Sequence, residues 1–441
     1  MNKAFIKITQ NNIINSIKKI QIFILCSSIL IIPYLAYYNM GGRGYELAKV
    51  NGLYTLTAII SSANLIVLTF QLKIYRFKIV HFIRHFLNIK YINILYWLLF
   101  ICLIIFNNLV QGSDITIFGN YWRSQGLILY LAIFFLSIQT WFIISKSNYF
   151  YFLATMVING IIQSLISIQQ INKYLYTENI DKLLNGFYIN GTYGQTNFVT
   201  YSTLISFIAI FWILIHGKYK LVANIFIKAI LTILLVTIAI SIFFSGSLWS
   251  ILVLILSILA IIISKYIQAV NIKYLNFVLY IFVLIIIFAP AISLFFPENV
   301  SNLRLDIWKN IFVGMQISGL HSFLLGVGFD NLGEWLKING LLSHFYIDRA
   351  HNFFIDIILS FGLIPFVLFV KKFFTILSIT TNKIKSEEYL LITLILVWLV
   401  KSVVNEFSIF NVWELILLLV ILDKLKMINK RNTLETSGIK Y

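Results

Sequence analysis

The chain has 441 residues, 60% of them hydrophobic and 11% charged, with a mean hydropathy of +0.90. Soluble globular proteins carry about 25% charged residues, so a soluble enzyme of this length is excluded. Runs of roughly 20 apolar residues, each enough to cross a hydrocarbon core of about 30 Å, predict an all-α, polytopic integral membrane protein. With four prolines and no low-complexity stretch, the chain reads as one integral domain over 1–441.

In chain order the apolar segments are 20–37, 53–72, 92–109, 125–145, 149–168, 196–215, 221–244, 248–264, 274–296, 353–370, 389–403 and 412–423, giving twelve candidate spans. The first follows Lys18 and Lys19, has Cys26-Ser27-Ser28 in its middle and is followed by no small-residue cleavage pattern, so it reads as an uncleaved helix. A formal charge of +18 on a soluble protein would suggest nucleic acid. Here position along the chain accounts for it, and no nucleic-acid partner is expected. With the N-terminus inside, 23 lysines and arginines fall in the cytoplasmic connections, the 73–90 segment among them, against 9 on the opposite side. The positive-inside rule then puts both termini in the cytoplasm. Cys26 and Cys102 are the only cysteines, and both fall inside spans and read as packing residues, so neither a disulfide nor a thiolate metal site is expected. The chain has no Gly-x-x-x-x-Gly-Lys-Ser/Thr loop and no His-Glu-x-x-His spacing, which leaves no recognisable ATP or zinc site and no expected cofactor.

Three outer segments are long or polar: 38–52, 169–195 and, largest, 297–352. Within the last, Ser301 to Met315 reads as an amphipathic helix whose Ile307, Trp308, Ile311 and Met315 share one face, a stripe that Arg304 extends by one turn. That arginine is either a guanidinium snorkelling from an interfacial helix or a bidentate ligand for a lipid phosphate. Gly326 and Gly328 mark a turn, and without a preceding soluble strand they make no dinucleotide site. The segment closes on Asp348-Arg349-Ala350-His351-Asn352, which sets a titratable histidine at the outer membrane rim. Histidine is suited to take a proton near neutral pH, and the neighbouring arginine can hold an anion without competing for protons. The alternative is a structural rim histidine.

These residues resemble the O-antigen ligase and polymerase superfamily. The likeness rests on the arginine-bearing loop helix, the Gly326-Val327-Gly328-Phe329 turn, and Ala350-His351-Asn352-Phe353-Phe354 leading to Ser360-Phe361-Gly362-Leu363. It takes in Gly119-Asn120-Tyr121-Trp122-Arg123-Ser124-Gln125-Gly126-Leu127 and Gly191-Thr192-Tyr193-Gly194-Gln195-Thr196-Asn197, and covers about residues 40 to 420. The resemblance implies a polytopic GT-C-type glycosyltransferase in the bacterial cytoplasmic membrane. It would move a glycan, without a metal, from an undecaprenyl-diphosphate carrier to an acceptor hydroxyl on the outer face. It further implies that His351 activates the acceptor and that Arg304 engages the donor diphosphate.

Arg123, Arg349 and Lys401 are further candidates for the diphosphate, with Asn352, Asp348, Asn197, Gly326 and Gly328 in support. Each has a plainer reading: Arg123 as a cation in an aromatic belt with Tyr121 and Trp122, Lys401 as a snorkelling lysine, Asn197 as a helix cap. Asp348, three residues before His351, would orient the ring. The chain departs from the family at Leu248, where relatives commonly place an arginine, and at Thr196, where a Gln-Pro-Asn version marks the protein O-oligosaccharyltransferase branch. The acceptor, whether lipid, glycan or protein, stays open. A polymerase or protein O-oligosaccharyltransferase is an alternative within the superfamily, and a transporter or flippase, or a scaffold, is one outside it.

Overall fold

The computed structural model describes residues 3–37, 44–75, 91–111, 113–120, 123–176, 192–193, 195–216, 224–245, 248–267, 303–341, 349–378, 386–403 and 408–436. Among them the secondary structure is helical, with no strand. The helices are α1 Lys3–Tyr37, α2 Gly44–Tyr75, α3 Tyr91–Val110, α4 Asp114–Phe118, α5 Leu127–Ile143, α6 Tyr149–Tyr176, α7 Thr196–His216 and α8 Ile225–Phe244. They continue as α9 Leu248–Ile267, α10 Leu303–Leu325, α11 Leu332–Ile338, α12 Phe353–Phe361, α13 Leu363–Leu377, α14 Ser386–Ser402 and α15 Ile409–Thr436. The expected span 274–296 lies outside the described residues.

Among the described residues five stretches are long and apolar enough to cross a membrane: Asn12–Tyr34, Glu46–Phe70, Tyr149–Lys173, Asn197–His216 and Ile225–Phe244. Leu99–Val110, Leu127–Ile143 and Trp249–Ile262 are apolar but shorter. The chain is a helical membrane protein. Helix α7 is buried on most of its surface, with small polar residues such as Thr200, Ser202 and Ser206 turned inward, and α6, α8, α9, α14 and α15 pack around it. Around the outside, α8 exposes Ile225, Phe226, Ile233 and Phe243. Cys26 packs against the main core, but Cys102 is exposed and is not a packing residue.

The expected loop helix is present and longer than its pattern. Ile307, Trp308 and Ile311 are buried in a cluster of their own with Met315 packed against them, while α10 continues to Leu325 across a non-helical Gly319. The expected single span 353–370 is two helices. Gly362, at φ 83°, ends α12 by donating its N–H to the Ile358 carbonyl, and α13 restarts with Pro365 in its first turn. Glycine just past a helix and proline soon after is a stop signal, and unbroken hydrophobicity hid it. The break is a docking point. A side chain at Gly362 would come within 2.3 Å of the Leu324 carbonyl oxygen, and one at Gly326 within 2.5 Å of the Leu359 oxygen. Across this contact Val327 N–H donates to the Leu359 carbonyl at 2.6 Å, and Asn107 Nδ2 donates to the Phe361 carbonyl.

Gly362→Ala adds overlap with α10 to the cost of a left-handed backbone and is expected to destabilise by about 2–5 kcal/mol. Gly319 has a similar φ of 75°, but a Cβ added there would meet nothing within 4 Å, so Gly319→Ala costs only about 1–2 kcal/mol. Thermal unfolding in detergent compares the two, and equal losses would refute the docking role.

Candidate functional site

Beyond α10 the chain turns through Gly326 and Gly328 to Asp330, and neighbours pin the turn along its length. Gln111 Nε2 donates to the Gly326 carbonyl at 2.8 Å, and Phe329 N–H donates to Asn108 Oδ1 at 2.9 Å. The Phe329 ring stacks on Tyr130 at 4.3 Å. Asp330 is thereby held against the segment between α4 and α5. Its Oδ2 accepts the backbone N–H of Asn120 at 2.9 Å and of Gln125 at 3.1 Å. Its Oδ1 lies 3.0 Å from Arg349 Nη2. The same guanidinium reaches Gln125 Oε1 and the Tyr130 hydroxyl. Burial pushes the Asp330 carboxyl above its ordinary pKa, against the pull of Arg349 and the two N–H donors.

A second buried layer lies behind the first. Glu46 and Lys49, at the start of α2, pair at 2.8 Å with no exposure. Gln125 Nε2 and Ser408 Oγ both donate to Glu46 at 3.0 Å, and Lys49 Nζ donates to the Tyr193 carbonyl at 2.9 Å. Arg123 sits between the layers, 6% exposed, with its guanidinium 5.7 Å from the Phe198 ring centre and in the field of Glu46, Lys49, Asp330 and Arg349. It is a buried cation and not a member of a surface aromatic belt. Tyr121 and Trp122 lie outside the described residues.

His351 is half-buried and follows Arg349 by two residues. Asn352 caps α12, its Oδ1 accepting the N–H groups of Phe354 and Ile355 at 2.9 and 3.0 Å, and its Nδ2 donates to the Val403 carbonyl at 2.7 Å. On the other side, Ala350 N–H donates to Asp356 Oδ1 at 2.9 Å, and the Ala350 carbonyl accepts Trp308 Nε1–H at 2.7 Å. His351 is left at φ 54°, in the left-handed region. Among the described residues the non-glycine positions with positive φ are Ser124, Asp330 and His351, one on each of the three segments that the Asp330–Arg349–Gln125 contacts join. Strained backbone persists where its surroundings over-determine it, and it clusters at functional sites.

The expected site residues divide accordingly. His351, Asn352, Arg349, Arg123, Gly326 and Gly328 converge. Arg304 is the second residue of α10, one turn ahead of Ile307 and Trp308, and its side chain lies outside the described residues, as does Asp348. Lys401 does not snorkel: it is fully buried, donates to Ser250 Oγ at 2.6 Å and lies 5.0 Å from the Tyr201 ring centre. Ser250 is two residues past Leu248, so Lys401 brings an ammonium to the start of α9. Asn197 is not the cap of α7. The Gln195 carbonyl accepts the first N–H groups, from Phe198 and Val199, which makes Asn197 the second helical residue.

Glu46, Lys49, Gln125, Asp330 and Asp356 went unrecognised in the sequence. The signal was there for Glu46 and Asp356, acids at the edge of or inside apolar runs, where an ionisable group is a functional candidate by default. Chemically, the arrangement gathers three cations, Lys49, Arg123 and Arg349, with three carboxylates, Glu46, Asp330 and Asp356, and His351 follows Arg349 by two residues. A preorganised set of charges of this kind can orient polar groups while a proton is taken nearby.

Arg349→Ala leaves Asp330 buried without its cation and is expected to cost about 3–5 kcal/mol, as is Asp330→Ala. The double variant should lose less than the sum of the two, and a thermal-unfolding cycle measures the difference. An additive result would mean that the pair does not join the three segments. No protein-family model, curated protein or solved structure matches the chain.

Proposed function

We propose that the chain is a metal-independent transferase that moves a glycan from an undecaprenyl-diphosphate carrier to an acceptor hydroxyl at the outer face of the bacterial cytoplasmic membrane, as an O-antigen ligase does. The observation that carries this is the pairing of Arg349, two residues before His351, with Asp330 and Gln125 from distant parts of the chain, in a cluster that takes in Arg123 and, among the described residues, the three non-glycine positions of positive φ. On this reading the chain crosses the membrane twelve times, with cytoplasmic termini and an outer 297–352 segment. A polymerase or a protein O-oligosaccharyltransferase uses the same chemistry with a different acceptor.

His351 takes the proton of the acceptor hydroxyl as the new glycosidic bond forms with inversion at the anomeric carbon. The carrier diphosphate departs with the bonding electron pair. Arg304 engages that diphosphate from α10, and Arg123 adds positive potential from below. Arg349 acts through the fold, because its guanidinium is committed to Asp330, Gln125 and Tyr130. Lys401 supplies a cation at the start of α9 in place of the arginine that Leu248 lacks.

Purified protein, lipid-linked donor and a hydroxyl acceptor test the assignment. His351→Ala should lower transfer about 10²- to 10⁴-fold with donor binding intact, and a chelator should leave wild-type transfer unchanged. Arg304→Ala should weaken donor use, with lysine rescuing only part because it lacks the planar fork. Wild-type transfer by His351→Ala, or its loss to a chelator, overturns the mechanism. A cysteine placed at Asn339 should react with an impermeant reagent only from outside, and reaction only from the cytoplasm overturns the orientation.

A transporter is the second reading, favoured by one observation. Glu414 of α15 is fully buried in the bundle and accepts Ser202 Oγ at 2.6 Å, Asn411 Nδ2 at 3.1 Å, and Asn159 Nδ2 and Tyr193 OH at 3.4 Å. Buried ionisable groups on membrane-spanning helices mark ion and substrate pathways. If the chain is a transferase, Glu414→Gln keeps glycan transfer. If it is a transporter, that variant abolishes substrate flux into vesicles.

A further inference from the structure

Residue 350 is gripped from both ends by two side chains that the proposed chemistry does not use. Asp356, on the first turn of α12 and 6% exposed, accepts the Ala350 N–H at 2.9 Å. Trp308, on α10 and equally buried, donates its indole N–H to the Ala350 carbonyl at 2.7 Å. That carbonyl belongs to the peptide leading into His351, so the indole fixes the plane from which the left-handed His351 departs. The Asn352 cap fixes the chain on the other side of the histidine. A left-handed residue that carries a side chain relaxes when its flanking bonds are lost, because the conformation costs about 1–2 kcal/mol.

Trp308 also lies one helical turn after Arg304 on the same helix. The helix bearing the donor arginine therefore hydrogen-bonds directly to the residue before the acceptor histidine. Asp356 adds a carboxylate in the field of Arg349, which ties the same turn to the buried knot.

We propose that Trp308 and Asp356 are positioning residues that hold His351 in register with the Arg304-bearing helix, so that the acceptor hydroxyl and the carrier diphosphate meet at reacting distance. This rests on the transferase assignment above. Neither residue touches substrate. Their loss misplaces the histidine without removing it, and a displacement of about 1 Å can cost on the order of 10²-fold in rate.

The test uses the full-length protein with lipid-linked donor and hydroxyl acceptor. Trp308→Phe deletes the indole N–H and keeps an aromatic ring, somewhat smaller, in the cluster of Ile307 and Ile311; it should lower kcat about tenfold and leave the donor KM unchanged. Asp356→Leu, which removes the acceptor for Ala350 N–H, should lower kcat further, and Asp356→Asn, which keeps an oxygen there, should recover most of that loss. A merely structural role would lower kcat and worsen donor KM together, with asparagine no better than leucine, and that pattern overturns the proposal. Wild-type kcat in Trp308→Phe overturns it as well, and this variant decides the matter alone if Asp356→Leu does not fold. His351→Ala runs alongside. If it keeps full transfer, the assignment of the site has failed; if it loses transfer while Trp308→Phe and Asp356→Leu keep theirs, only the positioning role has failed.

Discussion

The Asp330 carboxylate is the point at which three separate parts of the chain become one object. One oxygen receives two backbone N–H groups from the segment between α4 and α5, and the other faces the guanidinium of Arg349, just ahead of α12. Nothing in the apolar packing of a helical bundle requires these segments to meet, because apolar side chains slide past one another at little cost and one register resembles the next. A buried carboxylate tolerates few arrangements. Each missing donor leaves it short of the solvation it gave up, at about 1–3 kcal/mol or more. We hold that this pair specifies the geometry of the site more than it adds to stability, a role attested for buried polar groups in some proteins though not in all.

The same logic extends inward. Gln125 joins the two layers through its side chain, with its amide oxygen on Arg349 and its amide nitrogen on Glu46. Glu46 in turn holds Ser408 ahead of α15 and Lys49 on its own helix. A chain of buried polar contacts of this kind fixes the segments it joins relative to one another. It gives the strained backbone at Ser124, Asp330 and His351 something stiff to lean on.

The opposite end of the bundle is built differently. There Trp141 donates to Asp423 and lies under Lys424, Lys426 donates to the last carbonyls of α13, and Trp212 stacks on His216 and Tyr389. A lysine on terminal carbonyls is an ordinary way to finish a helix. Among the described residues these contacts tie the ends of helices through single pairs, and none of the three non-glycine residues of positive φ lies there.

Much of this was legible in the sequence. Helical, membrane-spanning character follows from composition, because long apolar runs have no other stable form in a bilayer. The buried stripe of Ile307, Trp308 and Ile311 follows from periodicity, whereas the cap expected at Asn197 is not one and the cap at Asn352 came only with the structure. Arg349, Arg123 and His351 could be singled out as chemistry-bearing residues from their types and neighbours. Their partners could not. Asp330 and Arg349 are nineteen residues apart and Glu46 and Ser408 are on opposite flanks of the chain, and no local pattern encodes which distant carboxylate meets which cation. The break at Gly362 was hidden for a related reason. Hydrophobicity is a sum over a window and is blind to one residue's φ, whereas the docking of α10 against that residue is decided by a few ångströms of backbone. Sequence alone determined which residues are apolar enough to be buried and which carry charged or titratable groups. The tertiary structure decided that Arg349 ties the fold together and that Lys401 is buried, because both depend on burial and pairing across the whole chain.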